Sequence, residues 1–437
     1  MHPGIPEPLR HIEWQTYGLT VLNPVAFSIV LLMCVVLFFI SRRYAILPII
    51  AIALFITSMQ RFVIATLDFP MLRFMIIIGF LRVAVRAEHR LIHLNSIDKM
   101  IIAFALLGVA SGTILWGTFG AFISRCGNAV DLLGIYFLCR IFIHDIEDFE
   151  RVIKAIVIMS VPVALFMVNE QVSGRNYFST LGGVPEMTFI REGKLRSQGA
   201  FSHPIIAGGF GATLMPLVIG HWFRTREKRI LVIGIISTAT ITITSNSSAP
   251  FLTYLAAIIG LSFWPLRRHM RIVLWSGVAC LVGLHMVMKA PVWALVARSG
   301  IISGSGGYHR FALIDSAIKN LHEWWLVGTY STGHWGWGLQ DVTNMYVRIG
   351  VNGGLIYLLL FLIIIASCFK TVGRTILTIE DQPDLQKFIW AMGACLFSYT
   401  VLFMGVSLFG QIVFFWYMIL AMISSLQGID FSEQSAT

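Results

Sequence analysis

Residues 23–43 read NPVAFSIVLLMCVVLFFISRR. From Asn23 to Ile40 the run carries no charge, and it approaches the about 20 residues that a helix needs to cross the hydrocarbon of a bilayer. Arg42 and Arg43 then close it. Lys and Arg accumulate at the cytoplasmic ends of spans, so the pair places this end inside and the N-terminus outside. Arginines stand where a signal peptide would carry small residues for cleavage, so a retained span is expected.

Working outward from this span, apolar runs recur at 45–60, 70–86, 98–119, 128–143, 152–169, 203–222, 230–246, 250–266, 272–289, 344–368, 388–406 and 409–426. Positive charge gathers at alternate connections: Arg86, Arg90 and Lys99, then Arg140, Arg151 and Lys154, then Arg224 to Arg229, then Arg267, Arg268 and Arg271, then Lys370, Arg374 and Lys387. The turns near Arg61, Ser245 and Leu408 are nearly free of charge. That alternation predicts about thirteen spans (12–13, the first two being the hardest to count), with the C-terminus inside. The expected fold is all-α, a polytopic transmembrane helical bundle forming one integral membrane domain over residues 1–437. Two long outer segments interrupt it, at 170–203 and 290–343.

Composition agrees and excludes other classes. The chain has 437 residues, 57% hydrophobic and 12% charged, with a mean hydropathy of +0.79. Soluble domains carry roughly 25% charged residues. The formal charge of +10 is accounted for by the positive-inside bias, and no basic run is long or aromatic-interleaved enough to bind nucleic acid. The six cysteines form no CxxC pair and read as small packing residues.

Chemistry is expected in the two long segments, because their arginines are the ones the positive-inside rule leaves over. The first contains Arg175, Arg191 and the stretch Arg196-Ser-Gln-Gly-Ala-Phe-Ser-His-Pro204. His203 and Pro204 open a helix of small residues, whose positive end beside Arg196 makes an anion site. Tight packing of a glycine-rich helix and an interfacial arginine give the plain alternative. The second segment contains Arg298, the glycines Gly304, Gly306 and Gly307, and apolar positions Phe311, Ile314, Ile318, Leu321 and Trp325 at three- and four-residue steps. This spacing predicts an amphipathic interfacial helix with Arg310 in its first turn, where an anion would offset the unfavourable dipole. Proton carriers in the outer segments are His203, His309, His322, His334, Asp315, Glu323 and Asp341; none has zinc-site spacing, and no metal or cofactor is expected. Inside the spans, Arg73 and Arg82 are expected to snorkel to opposite faces, and Asp131 is an intramembrane acid without an evident partner.

At these stretches the sequence resembles the O-antigen ligase and Wzy-type polysaccharide polymerase superfamily. Arg196, Gly199, Phe201, His203 and Pro204 match its Arg-x-x-Gly-x-Phe-x-His/Asn-Pro stretch. Arg310 and Gly328 match the arginine that opens its loop helix and the glycine that follows it. Asn344, with Gly350, Gly353 and Gly354, matches its His-Asn pair and glycine-rich turn, except that Thr343 stands in place of the histidine. The resemblance implies a metal-independent, type C-like membrane glycosyltransferase at the periplasmic face of the bacterial inner membrane. Its donor would be a glycan on undecaprenyl diphosphate, and its acceptor another glycan or lipid A core. Arg196 and Arg310 would hold the diphosphate, with Arg191, His203, His309, Asn344 and Arg348 in substrate binding. Threonine is no general base at neutral pH, so His334 or Asp341 would take that role or no dedicated base would be used, and the departure tilts the reading toward a polymerase. A secondary transporter or flippase for a lipid-linked or anionic substrate, and a non-catalytic scaffold, are the alternatives. A transporter would break helices near the bilayer midplane and place its polar groups there.

Overall fold

The computed structural model describes residues 20–64, 67–295 and 306–431. Each expected span falls on a helix: α1 (Pro24–Phe39), α2 (Ile46–Phe55), α3 (Met71–Val85), α4 (Ser96–Trp116), α5 (Phe119–Phe142), α6 (Ile146–Ser173), α7 (Pro204–Trp222), α8 (Lys228–Thr244), α9 (Ser248–Ser262) and α10 (Met270–Val287). After the long segment, which contributes α11 (Gly306–Lys319) and α12 (Leu321–Trp324), come α13 (Met345–Thr378), α14 (Pro383–Leu402) and α15 (Ile412–Ser425). Among the described residues seven helices are long and apolar enough to cross a membrane, and α1, α9 and α15 are shorter apolar ones. The chain is a multi-pass helical membrane protein. Two short antiparallel hairpins lie where loops were expected: β1 (Arg61–Ile64) with β2 (Leu67–Pro70), and β3 (Phe189–Arg191) with β4 (Lys194–Arg196).

Side-chain contacts sort the connections into two sets. One set joins Arg42 to Asp148 at 3.0 Å, Arg82 to Glu88 at 2.8 Å, Arg140 to Asp98 at 3.0 Å and Arg224 to Glu150 at 2.7 Å. The other joins Gln60 to the Leu181 carbonyl, Ser58 to Gln411, Asn344 to the Met404 carbonyl and Arg196 to Ser247. Two separate ends are what a chain passing back and forth through a layer produces.

At the centre stands α7, packed against α8, α9 and α14 and buried along almost its whole length. Its small residues allow this. Side chains at Gly209 and Gly220 would meet Leu402 and Ala391 of α14, and one at Gly211 would meet the Thr238 carbonyl of α8.

Helix α13 is broken at Gly354, which has φ 86° and ψ 179°. A side chain there would collide with the Leu326 carbonyl, so glycine is required both for the backbone angle and for the approach. The freed amide of Leu355 donates to the Trp325 carbonyl at 2.7 Å, and the Val351 carbonyl accepts from the Thr329 amide at 2.8 Å. Residues 325–329 thus occupy the break. This satisfies backbone groups that a membrane-embedded helix cannot leave bare.

Three expectations are corrected. Arg73 and Arg82 do not snorkel. Arg73 is paired with Asp131 through Nε at 2.8 Å, and Arg82 is fully buried, bonded to Glu88 and to the Leu37 and Ile40 carbonyls at 2.6 Å. The intramembrane acid Asp131 therefore has a partner. Nor does the amphipathic helix bury the expected face. Asn320 breaks it, so the periodicity cannot run on from Ile318, and Leu313, Ala317 and Trp324 are buried while Ile318, Leu321 and Trp325 are exposed. Trp324 reaches back across the break, donating to the Ala317 carbonyl at 2.8 Å, and packs on Gly350. Arg298 and Gly304 lie outside the described residues.

Candidate functional site

Arg196 ends β4, and Phe189 of β3 stands opposite it in register. Its guanidinium lies 5.6 Å over the Phe189 ring, donates to the Ser247 hydroxyl and faces the Ser245 carbonyl at 3.4 Å. The residue is 5% exposed, and among the described residues no carboxylate forms an ion pair with it. Burial, reinforced by the like charge of Arg191 and opposed by Glu192, pulls its pKa down to about 10. It is still a cation at neutral pH, and a buried cation without a carboxylate is a standing demand for an anion.

The loop after Arg196 is held by its backbone. The Gln198 and Gly199 amides both donate to the buried Glu170 carboxylate, at 3.1 Å and 2.8 Å. Asn176 donates to the Gly199 carbonyl at 2.8 Å, and Gly199 turns the chain at φ +59°. Gln411 grips the far side, donating to the Ala200 carbonyl at 2.5 Å and accepting from the Ser202 amide at 3.2 Å. His203 then caps α7, its Nδ1 accepting from the Ile205 amide at 3.1 Å, with its ring between Phe189 and Phe409.

Arg310 reaches this region from α11. Its Nε lies 3.0 Å from where a Gly405 Cβ would stand, and the Ala249 Cβ lies 3.2 Å from the same point. Ala249 follows Ser247 by two residues, so Arg196 and Arg310 approach the same turn between α8 and α9. No hydrogen bond or ion pair engages Arg310 among the described residues, and burial together with Arg191 holds its pKa below the usual arginine range. Arg191 thus acts on both arginines. Three cations thus share one neighbourhood, with Glu192 acting against Arg196.

The remaining expected residues separate into groups. His309 ties α11 to the end of the long segment, its Nε2 donating to the Asp341 carbonyl at 3.0 Å. His334 is bonded to Glu323 at 2.7 Å, and Trp335 donates to the same carboxylate oxygen at 2.9 Å. The Trp335 hydrogen bond, seconded by His334, holds the Glu323 carboxyl below the usual range. Asn344, expected in substrate binding, has a structural role here. It is 3% exposed and both halves of its amide are engaged, accepting from the Val347 amide to cap α13 and donating to the Met404 carbonyl. Arg348 donates to Ser407 at 3.0 Å and lines a cavity of about 520 Å³ that neither Arg196 nor Arg310 lines. The Thr343 hydroxyl, where the base would stand, is buried without a hydrogen bond.

Sequence reasoning missed Glu170 and Gln411. Glu170 lies near the end of an apolar run, as Asp131 lies within one, so the same signal of an unexplained intramembrane acid applied to it. Nothing in the sequence around Gln411 marks it. The arrangement brings Arg191 of β3, Arg196 of β4 and Arg310 of α11 into one neighbourhood. Set against protein-family models and against curated proteins, the chain matches none.

Proposed function

We propose that the protein is a membrane glycosyltransferase moving a glycan from undecaprenyl diphosphate to an acceptor glycan or lipid A core. The observation that carries this reading is the pair Arg196, buried, and Arg310, half-buried, neither of which forms an ion pair with a carboxylate among the described residues. A diphosphate leaving group gains charge as the glycosidic bond breaks, and preorganised cations stabilise it more in the transition state than in the ground state. The acceptor hydroxyl must lose a proton. Of the two base candidates in the long segment, His334 has the carboxylate partner that stabilises an imidazolium. Thr343 in place of a histidine favours polymerase over ligase. The site belongs, on this reading, to the periplasmic face of the bacterial inner membrane. The break in α13 is the feature a secondary transporter would share. Its freed groups are taken by residues 325–329 and not by a lined cavity, so transport is the lesser reading.

The test is the surface glycan of cells carrying Arg310→Ala and Arg310→Lys. Both variants are expected to lose long chains, because lysine lacks the planar fork that grips two phosphate oxygens. Wild-type chain lengths in both would remove Arg310 from the mechanism. In cells lacking the protein, single repeats on the lipid carrier identify a polymerase and long lipid-linked chains a ligase.

A further inference from the structure

A second charged region is not used by this mechanism. The cavity of about 520 Å³ is lined by the end of α2, the β1–β2 hairpin and parts of α3, α4, α5, α13 and α15. Four arginines line it, Arg61, Arg73, Arg125 and Arg348, against two carboxylates, Asp68 and Asp131. Both carboxylates are already committed, Asp68 to Arg61 at 3.1 Å and Asp131 to Arg73 at 2.5 Å. The lining is therefore net positive. Two further cations line it, Arg348, which donates to Ser407, and Arg125, which among the described residues has no hydrogen bond and no ion pair.

Two more atoms of the same lining are unsatisfied. Asp68 Oδ1 is buried with no donor, and Arg61 Nε is buried with no acceptor. Both atoms are covered by the paired side chains and are not presented to the cavity. The rest of the wall is largely apolar and aromatic, with Ile76, Val109, Leu132 and Trp416, and carries the polar residues Thr57, Ser58, Asn128 and Gln411. Its volume falls within the about 300–1,000 Å³ typical of small-ligand sites.

We propose that this cavity binds an anionic polyol, with its carboxylate or phosphate at Arg125 and its hydroxyls against the polar residues of the lining, Ser58 and Asn128. An acidic sugar and a glycerophosphate headgroup share that chemistry. The site is separate from Arg196 and Arg310, and the inference stands whether or not the protein transfers glycans.

The test uses the full chain, purified in detergent or in lipid nanodiscs. Calorimetry with glucuronate, with glycerol 1-phosphate and with the neutral controls glucose and glycerol reads the soluble arm. Melting temperature in nanodiscs of phosphatidylglycerol against phosphatidylcholine reads the lipid arm. Binding of the soluble anions assigns the site to a free acidic polyol, and stabilisation by phosphatidylglycerol alone assigns it to a headgroup. In whichever arm responds, Arg125→Gln is expected to weaken binding about 10- to 100-fold, the worth of one charge-assisted contact. Arg125→Lys should recover part of it, and Arg196→Gln should leave it unchanged. The proposal is overturned if neither arm responds, if glucose or glycerol binds as well as the anions, or if Arg125→Gln binds like the wild type. Equal loss in Arg196→Gln would place the ligand at the other arginines and also overturn it. Should Arg125→Gln not yield folded protein, the wild-type comparison of charged and neutral probes decides alone.

Discussion

At the end of the bundle that holds Arg82, Arg140 and Arg224, each of these guanidiniums meets a carboxylate, and Arg82 and Arg140 are almost wholly buried in doing so. Around Arg140 the matching extends further. Asp98 also accepts from Tyr136 at 2.6 Å and from Ser424 at 3.0 Å, and Arg140 also donates to Ser425 at 2.8 Å. At the opposite end Arg61 and Arg73 are likewise paired, but among the described residues Arg196, Arg310 and Arg125 meet no carboxylate. The same residue type therefore has two uses. A buried arginine with its acid fixes one helix against another, whereas one without an acid weakens the fold and is explained only by what it binds.

The comparison can be broken by exchanging the two kinds. Arg140→Ala should have the largest effect, since it leaves Asp98 charged, buried and without its cation. Losing one partner of such a pair costs about 3–5 kcal/mol, read as a fall in the unfolding temperature in detergent. A wild-type temperature would mean that the pair contributes nothing. Arg196→Gln comes next and should behave oppositely, shifting stability by less than about 1 kcal/mol while lowering glycan transfer roughly 100-fold or more. A loss of stability matching that of Arg140→Ala would make Arg196 a structural residue.

The smallest effect is in the pH dependence. Burial lowers the pKa of Arg196 to about 10, so the folded chain holds this proton less tightly than the unfolded chain. The charged form therefore weakens the fold below that pH, and the penalty lessens as pH rises through it. Anion binding runs the other way. Pyrophosphate affinity should stay level through neutral pH and decline only as pH passes about 10. A decline near neutrality would point to a histidine instead.

The helices were legible because a lipid-facing chain must satisfy its backbone within each segment, which leaves a hydrophobic run for every pass. The charge alternation was legible for the same reason. What the sequence could not reveal was partnership. Asp131 looked unpaired because Arg73 lies 58 residues away, and Arg73 and Arg82 looked free to reach opposite surfaces. Conversely, Asn344 resembled a site residue, yet its position at a helix start already indicated a cap. The face of α11 was misread because the period was carried through Asn320, where the chain breaks step and Trp324 enters in place of Trp325. The arginines without acids were found by elimination, as charges that topology did not require, and Arg125 escaped because it lies within a helix.

The joint at Gly354 has a kinetic meaning. The Leu355 and Thr329 amides are each held by the other segment, so neither opens to solvent unless the long segment lifts from the helix. The two amides should then exchange their hydrogens at one common rate, set by a single cooperative opening. That opening would also carry α11, and Arg310 with it, away from the turn that Arg196 shares. The hinge of the long segment would thus be inside the membrane helix itself.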